Sequence, residues 1–213
     1  MRNLHLSLVA ILISISLMVL GGCLGKGTQQ PTRLYMLQPL ASSETDTEAG
    51  AVDDTFSLRV GPIRLPEYLN RPQIVTRTDE NKIQLGVFHH WGEPLERNFA
   101  SVLALNMSSL LSTTKIILHP WAKKEDVKYV LSVDVIRFDG EFNGNATLHA
   151  RWYLTHWEDD NPKVLATRIS RHTEPVGGES YENLVVAESR ALEAFSREIA
   201  EVIKGLPQEG AGQ

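Results

Sequence analysis

Two long runs of alternating apolar residues, joined by Asn143-Gly144, constrain the fold of this chain more than any other feature of its sequence. A strand places alternate side chains on the same face of a sheet, and Asn-Gly between two such runs is the strongest short-range signal of a hairpin. A third strand pattern, Val164 to Thr173, follows shortly afterwards, so the sequence predicts a three-stranded antiparallel meander. The alternating residues of the first two strands are Tyr129, Leu131, Val133 and Val135, then Ala146, Leu148, Ala150, Trp152 and Leu154.

Two amphipathic helices accompany these strands. The first opens at Glu93-Pro94, because proline is tolerated in a first turn and acidic side chains favour the positive end of the helix dipole. The second runs from about Ser180 to Lys204, where Gly205-Leu206-Pro207 ends it. Apolar residues recur at helical spacing in both: Leu95, Phe99, Val102, Leu103, Met107 and Leu110, then Leu184, Ala191, Leu192, Phe195, Ile199, Val202 and Ile203.

Shorter strand patterns complete the order of elements. Strands, a helix, more strands and a final helix predict an α+β fold: a largely antiparallel sheet with two helices packed on one face. All of it fits one domain, residues 32–204, in a chain of 213 residues. The shorter strands are predicted at Thr32–Gln38, Phe56–Val60, Ile74–Thr78, Lys82–Leu85 and Lys115–Leu118.

Residues 1–22 have the pattern of a secretory signal peptide. Arg2 precedes an apolar run from Leu6 to Leu20, and Gly21-Gly22 follows. A membrane-spanning helix is the alternative, but it needs about 20 apolar residues, and this run is shorter.

Cys23 is the only cysteine, so a disulfide within the chain is excluded. Leu20-Gly21-Gly22-Cys23 resembles the lipobox of bacterial lipoproteins, in which the signal is cut before the cysteine and the cysteine is acylated; a stray cysteine is the alternative. Two or more acyl chains give a lasting membrane anchor. Residues 23–31 would then form a short lipidated linker. The residue after the cysteine is Leu24. In such lipoproteins an aspartate at this position commonly retains the protein at the inner membrane. The resemblance therefore implies that this protein is exported to the outer membrane, where it faces the periplasm.

Two further segments are expected to lack fixed structure. Residues 41–54 contain acidic and small residues and no basic residue, which predicts a mobile acidic loop without a calcium-ligand pattern. Residues 205–213 are expected to form a disordered tail.

The composition and the motifs predict binding rather than catalysis. A formal charge of -5 argues against a nucleic-acid binder. No Gly-x-Ser-x-Gly, phosphate-binding glycine loop or His-Glu-x-x-His is present. The adjacent His89 and His90 point to opposite faces of a strand, as do His149 and His156. We therefore predict no enzyme activity, no metal site and no cofactor beyond the acyl chains on Cys23.

Two segments resemble a known family. The first is Gly61-Pro62-Ile63-Arg64-Leu65-Pro66-Glu67-Tyr68-Leu69-Asn70-Arg71-Pro72-Gln73-Ile74-Val75-Thr76-Arg77, and the second is Trp91-Gly92-Glu93-Pro94-Leu95-Glu96. With the lipobox and the closing helix, they resemble the PqiC (YmbA) family of ABC-type transport auxiliary lipoproteins. The resemblance covers about residues 34–203 and departs from the family at the acidic loop.

The resemblance implies a non-enzymatic subunit of an intermembrane lipid-transport system that supports envelope integrity. Its partners would be an MCE-domain protein and an associated inner-membrane component, and the lipoprotein would form a homo-oligomer. A stand-alone structural or assembly lipoprotein of the outer membrane is the alternative.

Four residues of these segments are candidate partner contacts: Tyr68, Leu69, Arg71 and Trp91. Tyrosine and arginine are enriched at the energetic centres of interfaces. The structural alternative is that Tyr68 and Leu69 close a strand connection over the core and that Trp91 packs at the entry to the first helix.

Overall fold

Eight strands and two α-helices, in the predicted order, make up residues 30–40, 56–120, 127, 129–158 and 161–206, which the computed structural model of the protein describes. The chain divides after Pro31, and the unit described below is Thr32–Gln213. The signal peptide, Cys23, the acidic loop and residues 207–213 of the tail lie outside the described residues. The elements are β1 (Arg33–Tyr35), β2 (Leu58–Arg64), β3 (Gln73–Asp79), β4 (Lys82–Trp91), α1 (Leu95–Leu111), β5 (Ile116–Leu118), β6 (Tyr129–Gly140), β7 (Asn145–Glu158), β8 (Asn161–Pro175) and α2 (Tyr181–Lys204).

The predicted meander is present and is longer than expected. β6 and β7 pair antiparallel from Tyr129↔His156 to Gly140↔Ala146, and β7 pairs antiparallel with β8 over its whole length. At the turn between β6 and β7, Asn143 has a φ of 57°, which asparagine tolerates better than most residues. The α+β prediction is confirmed.

The other edge of β6 carries parallel strands, which the sequence did not predict. β2 runs parallel to the first half of β6, and β3 meets its end at Thr76↔Gly140. The sheet continues from β3 through antiparallel β4 to parallel β1, and from β2 to parallel β5. Residues 65–72, which connect β2 to β3, therefore lie between two strands that pair with the same edge of β6.

Both helices bury their predicted stripes in one core with the sheet. Ser180 caps α2, because its side chain accepts a hydrogen bond from the Asn183 amide. The helices also meet through a buried hydrogen bond of 3.0 Å from the Asn106 amide nitrogen Nδ2 to the Ser196 hydroxyl. Among the described helices, none is long and apolar enough to cross a bilayer.

Candidate partner-binding site

The two segments that carry the family resemblance meet in space. β3 and β4 form a hairpin in which Gln73 pairs with His90, and the Trp91 amide donates a hydrogen bond of 2.7 Å to the Pro72 carbonyl. Pro72 and Gln73 of the first segment therefore lie against the start of the second segment. Between them is an open pocket of about 320 Å³, lined by Leu65, Leu69, Asn70, Arg71 and Pro72 on one side and by Trp91, Glu93, Pro94, Leu95 and Glu96 on the other.

A tight turn shapes the first side of the pocket. Residues Glu67–Leu69 form one turn of 3-10 helix, in which the Leu69 amide donates to the Pro66 carbonyl at 2.9 Å. The Arg71 amide then donates to the Leu69 carbonyl at 2.8 Å. Pro66 and Pro72 limit the backbone at both ends of the turn. This geometry turns Leu69 inward, where it is 2% exposed.

A buried carboxylate ties this turn to the sheet. The Tyr68 hydroxyl donates to Oδ2 of Asp139 at 2.8 Å. Arg77 contacts both carboxylate oxygens, with Nε 3.1 Å from Oδ1 and Nη2 3.0 Å from Oδ2. Arg137 Nε donates to Oδ1 at 2.8 Å. Since Asp139 lies on β6 and is fully buried, it joins the 3-10 turn, β3 and β6 at one point.

The charge of Asp139 is maintained by these donors. Burial raises the pKa of its carboxyl, but the hydrogen bonds from Arg77 and Tyr68 and the charge of Arg137 outweigh burial, so the pKa lies below its usual value. Burial, followed by the Asp139 charge, raises the pKa of Tyr68. The Tyr68 hydroxyl therefore stays protonated and remains a donor.

Glu188 on α2 is a second buried carboxyl near Asp139. It is 1% exposed, and its Oε2 has no hydrogen-bond partner. Burial and then the Asp139 charge raise the pKa of Glu188 well above its usual value. Of the two carboxyls, Glu188 therefore holds a proton more readily than Asp139.

The structure brings three of the four candidate contacts together. Leu69 and Trp91 are buried and form part of the pocket floor, and Arg71 lies half-buried at the rim. The hydroxyl of Tyr68 points away, to Asp139. Whether these residues touch a partner stays a prediction.

Sequence reasoning missed four other residues: Asp139, Leu65, Glu93 and Glu96. The first is the only acidic residue in the second half of β6, and its burial next to arginines depends on contacts that are distant in sequence. The other three belong to the two motif segments but were not singled out.

A smaller pocket of about 230 Å³ lies beside the first turn of α1 and shares Pro94 and Glu96 with the larger one. Gly61 forms part of its wall, with a φ of +112°. A Cβ there would lie 2.6 Å from the His119 Cβ, so this position accepts only glycine.

Two of the described histidines, His89 and His172, take part in side-chain contacts that hold the fold together. His89 stacks on Tyr181 with ring centroids 3.9 Å apart, and its Nδ1 lies 2.7 Å from the Tyr35 hydroxyl. His172 Nε2 lies 2.9 Å from Glu198. Among the described residues, no group of three or more His, Cys, Asp or Glu side chains could hold a metal ion.

A row of hydrogen-bonded side chains between β8 and α2 has the residue types of a hydrolase triad but a different arrangement of hydrogen bonds. The Ser170 hydroxyl donates to Glu198 Oε1 at 2.7 Å, and His172 contacts the other oxygen of the same carboxylate. In a catalytic triad the imidazole lies between the hydroxyl and the acid, where it can accept the hydroxyl proton. Here the acid lies in the middle, so the arrangement supports packing of α2 on the sheet.

The fold and the pocket define an α+β domain with an open surface pocket between its two motif segments. The family described as "ABC-type transport auxiliary lipoprotein component" matches residues 35–200, and the chain belongs to this family. The description names an auxiliary component of transport and is not that of a known enzyme family.

One relative agrees with this assignment, and two solved structures share the fold. The chain is 24% identical over 196 residues to the intermembrane transport lipoprotein PqiC of Escherichia coli (strain K12), a match that covers 92% of this chain and 98% of that protein. An uncharacterised protein of known structure has the same fold, with a TM-score of 0.64 at 20% identity over 82% of this chain and 99% of its own. A Xanthomonas campestris protein of known structure also has this fold, with a TM-score of 0.63 at 18% identity over 81% of this chain and 96% of its own.

Proposed function

We propose that this chain is an outer-membrane-anchored lipoprotein, facing the periplasm, that serves as a subunit of an MCE-type intermembrane lipid-transport system. It acts by binding and assembly. The observation that carries the proposal is that the two motif segments form one open pocket, although they are separated in sequence by most of the β3–β4 hairpin. The relationship to PqiC, an intermembrane transport lipoprotein, supports the choice of system.

Acylated Cys23 provides the anchor in this proposal. One acyl chain gives only marginal membrane binding, whereas two or more hold a protein stably. The linker of residues 24–31 would reach at most about 28 Å when extended, so the domain would stay close to the membrane surface. We expect Cys23→Ser to give an unprocessed or soluble product without fatty-acid labelling. Labelling that persists in this variant would contradict the anchor.

The pocket provides the partner contact. Its apolar lining consists of half-buried Leu65 and of Leu69, Trp91 and Leu95 beneath it. This lining suits a protruding apolar group of an MCE-domain protein. We further propose that several copies of the lipoprotein assemble around the same partner and that an inner-membrane component completes the system.

Co-purification in mild detergent tests the proposal. The full-length lipoprotein should recover the MCE-domain protein, and recovery should fall at least about fivefold, the effect of losing roughly 1 kcal/mol at an interface, with Leu65→Glu. Leu65→Glu places a charge in the pocket. Leu105→Glu is the matched control, because Leu105 is 54% exposed on α1 away from the pocket.

Two results would contradict the proposal. If no MCE-domain protein is recovered with an intact lipoprotein, the assignment to this system fails. If recovery is unchanged when Leu65, Arg71 or Trp91 is altered on an intact fold, the stand-alone structural lipoprotein becomes the better account.

A further inference from the structure

The size of the pocket limits what can occupy it. A volume of about 320 Å³ is at the lower end of the range of about 300–1,000 Å³ for small-molecule sites. It has room for one bulky side chain or for a short part of an acyl chain, but not for a whole diacyl phospholipid. The floor of Leu65, Leu69, Trp91 and Leu95 calls for an apolar group in either case.

The rim separates these two possibilities by charge. Arg71 contributes one positive charge, and Glu93 and Glu96 contribute two negative charges, so the rim carries a net charge of -1. Glu93 Oε1 already accepts a hydrogen bond of 3.1 Å from Asn98, whereas Glu96 is exposed at the first turn of α1. A net negative rim disfavours a lipid headgroup of net negative charge and attracts a basic side chain.

Arg71 adds a hydrogen-bonding requirement. Its Nε is buried and has no hydrogen-bond partner. A buried donor without a partner is costly, and an acceptor that reached it after a small shift of the Arg71 side chain would remove this cost. The carbonyl of an extended peptide is an acceptor of the right kind, since it is uncharged and lies beside the side chain that the pocket takes up.

We infer that the pocket binds an extended segment of a separate protein, in which one bulky apolar side chain enters the pocket and a neighbouring lysine or arginine pairs with Glu96. A backbone carbonyl of that segment accepts a hydrogen bond from Arg71. This inference rests on the proposed function and specifies the chemistry of the partner segment at the same site. It also means that this pocket contacts protein and not lipid cargo.

Site-specific photo-crosslinking in native membranes tests the inference. p-Benzoylphenylalanine replaces Asn70 at the rim in the full-length lipoprotein, and the adduct is mapped by mass spectrometry. We expect an adduct to a protein segment with a bulky apolar residue within two positions of a lysine or arginine. Glu96→Lys should lower the yield about fivefold, as expected for the reversal of one charge pair, and reversal of the partner's basic residue should restore it. The same probe at Leu105 is the matched control and should not give this adduct.

Four results would overturn the inference. They are an adduct to phospholipid, an adduct to a second copy of this chain, an adduct to a segment without a basic residue, and the absence of any adduct from a protein present at its normal level. A yield that is unchanged by Glu96→Lys also counts against it. If the MCE-domain protein co-purifies while the probe labels lipid, the proposed function stands and this inference fails.

Discussion

The two halves of the sheet are held together by different means. β6, β7 and β8 are joined by continuous antiparallel ladders and a short turn, so backbone hydrogen bonds fix their register. The β3–β4 hairpin meets β6 through one backbone pair, Thr76↔Gly140, and through the side-chain contacts of Asp139. Besides its buried apolar side chains, the β3–β4 hairpin is therefore tied to β6 mainly through one buried carboxylate, whereas the meander is held by many equivalent backbone contacts.

Removal of Asp139 should give the largest effect. Asp139→Ala leaves Arg77, Arg137 and Tyr68 without their shared acceptor and should cost about 3–5 kcal/mol, the range for breaking a buried ion pair from one side. Urea unfolding measures this change. Asp134→Asn is the matched control on the same strand, because Asp134 pairs with exposed Arg64 and its loss should change stability little.

The pH dependence of this contact has a definite sign. The pKa of Asp139 is lower in the folded protein than in the unfolded chain. Its contribution is therefore fully present above the unfolded value of about 3.9 and is lost as the pH falls through the folded pKa. Wild type should lose stability over this acidic range, whereas Asp139→Ala should lose less. Equal acid sensitivity of the two proteins would contradict the role given to Asp139.

Loss of the Tyr68 hydroxyl should have an intermediate effect. Tyr68→Phe removes one hydrogen bond to a buried charge and should cost about 1–2 kcal/mol. Tyr153→Phe, at a half-exposed position on β7, serves as the control. Thermal unfolding and partner recovery should be measured on the same samples. Recovery that falls without any loss of stability would show that Tyr68 contacts the partner directly and does not only position the turn.

Substitution of Glu188 should have the smallest effect at mildly acidic pH, and at higher pH its effect has the opposite sign. Because burial raises the pKa of Glu188, its ionisation opposes folding as the pH rises above the unfolded value of about 4.3. Glu188→Gln should match wild type near pH 4 and exceed it in stability at higher pH, with a difference that grows by at most about 1.4 kcal/mol per pH unit. Exposed Glu201→Gln is the control. A variant that is less stable than wild type at pH 8 would show that the Glu188 carboxylate is ionised and paired.

The sequence predicted the meander and both helices because their signals are local. Alternation on either side of Asn143-Gly144 and the apolar stripes of the two helices report directly on which face is buried. The second half of β4 was not predicted, since residues 86–91 lack alternation and become a strand by pairing with β1. The parallel pairing of β2 and β3 with β6 was missed for a related reason: it joins residues that are about 70 positions apart.

The site was predictable in part. Leu69, Arg71 and Trp91 were selected from two separate motifs, and the structure places them around one pocket. The roles of Asp139 and Glu188 could not be predicted, because each depends on tertiary contacts: Asp139 with Tyr68 and Arg77, and Glu188 with Asp139. Tyr68 was selected from its motif, but its bond to Asp139 depends on the same tertiary contact.

The central claim is that the pocket between the two motif segments holds a segment of the MCE-domain partner. A structure of the assembled complex, determined by cryo-electron microscopy from native membranes, tests it most directly. We predict partner density in the pocket, with an apolar side chain over Leu69 and Trp91 and a basic side chain at Glu96. A complex in which the pocket faces solvent or holds lipid while the partner binds elsewhere would contradict the claim.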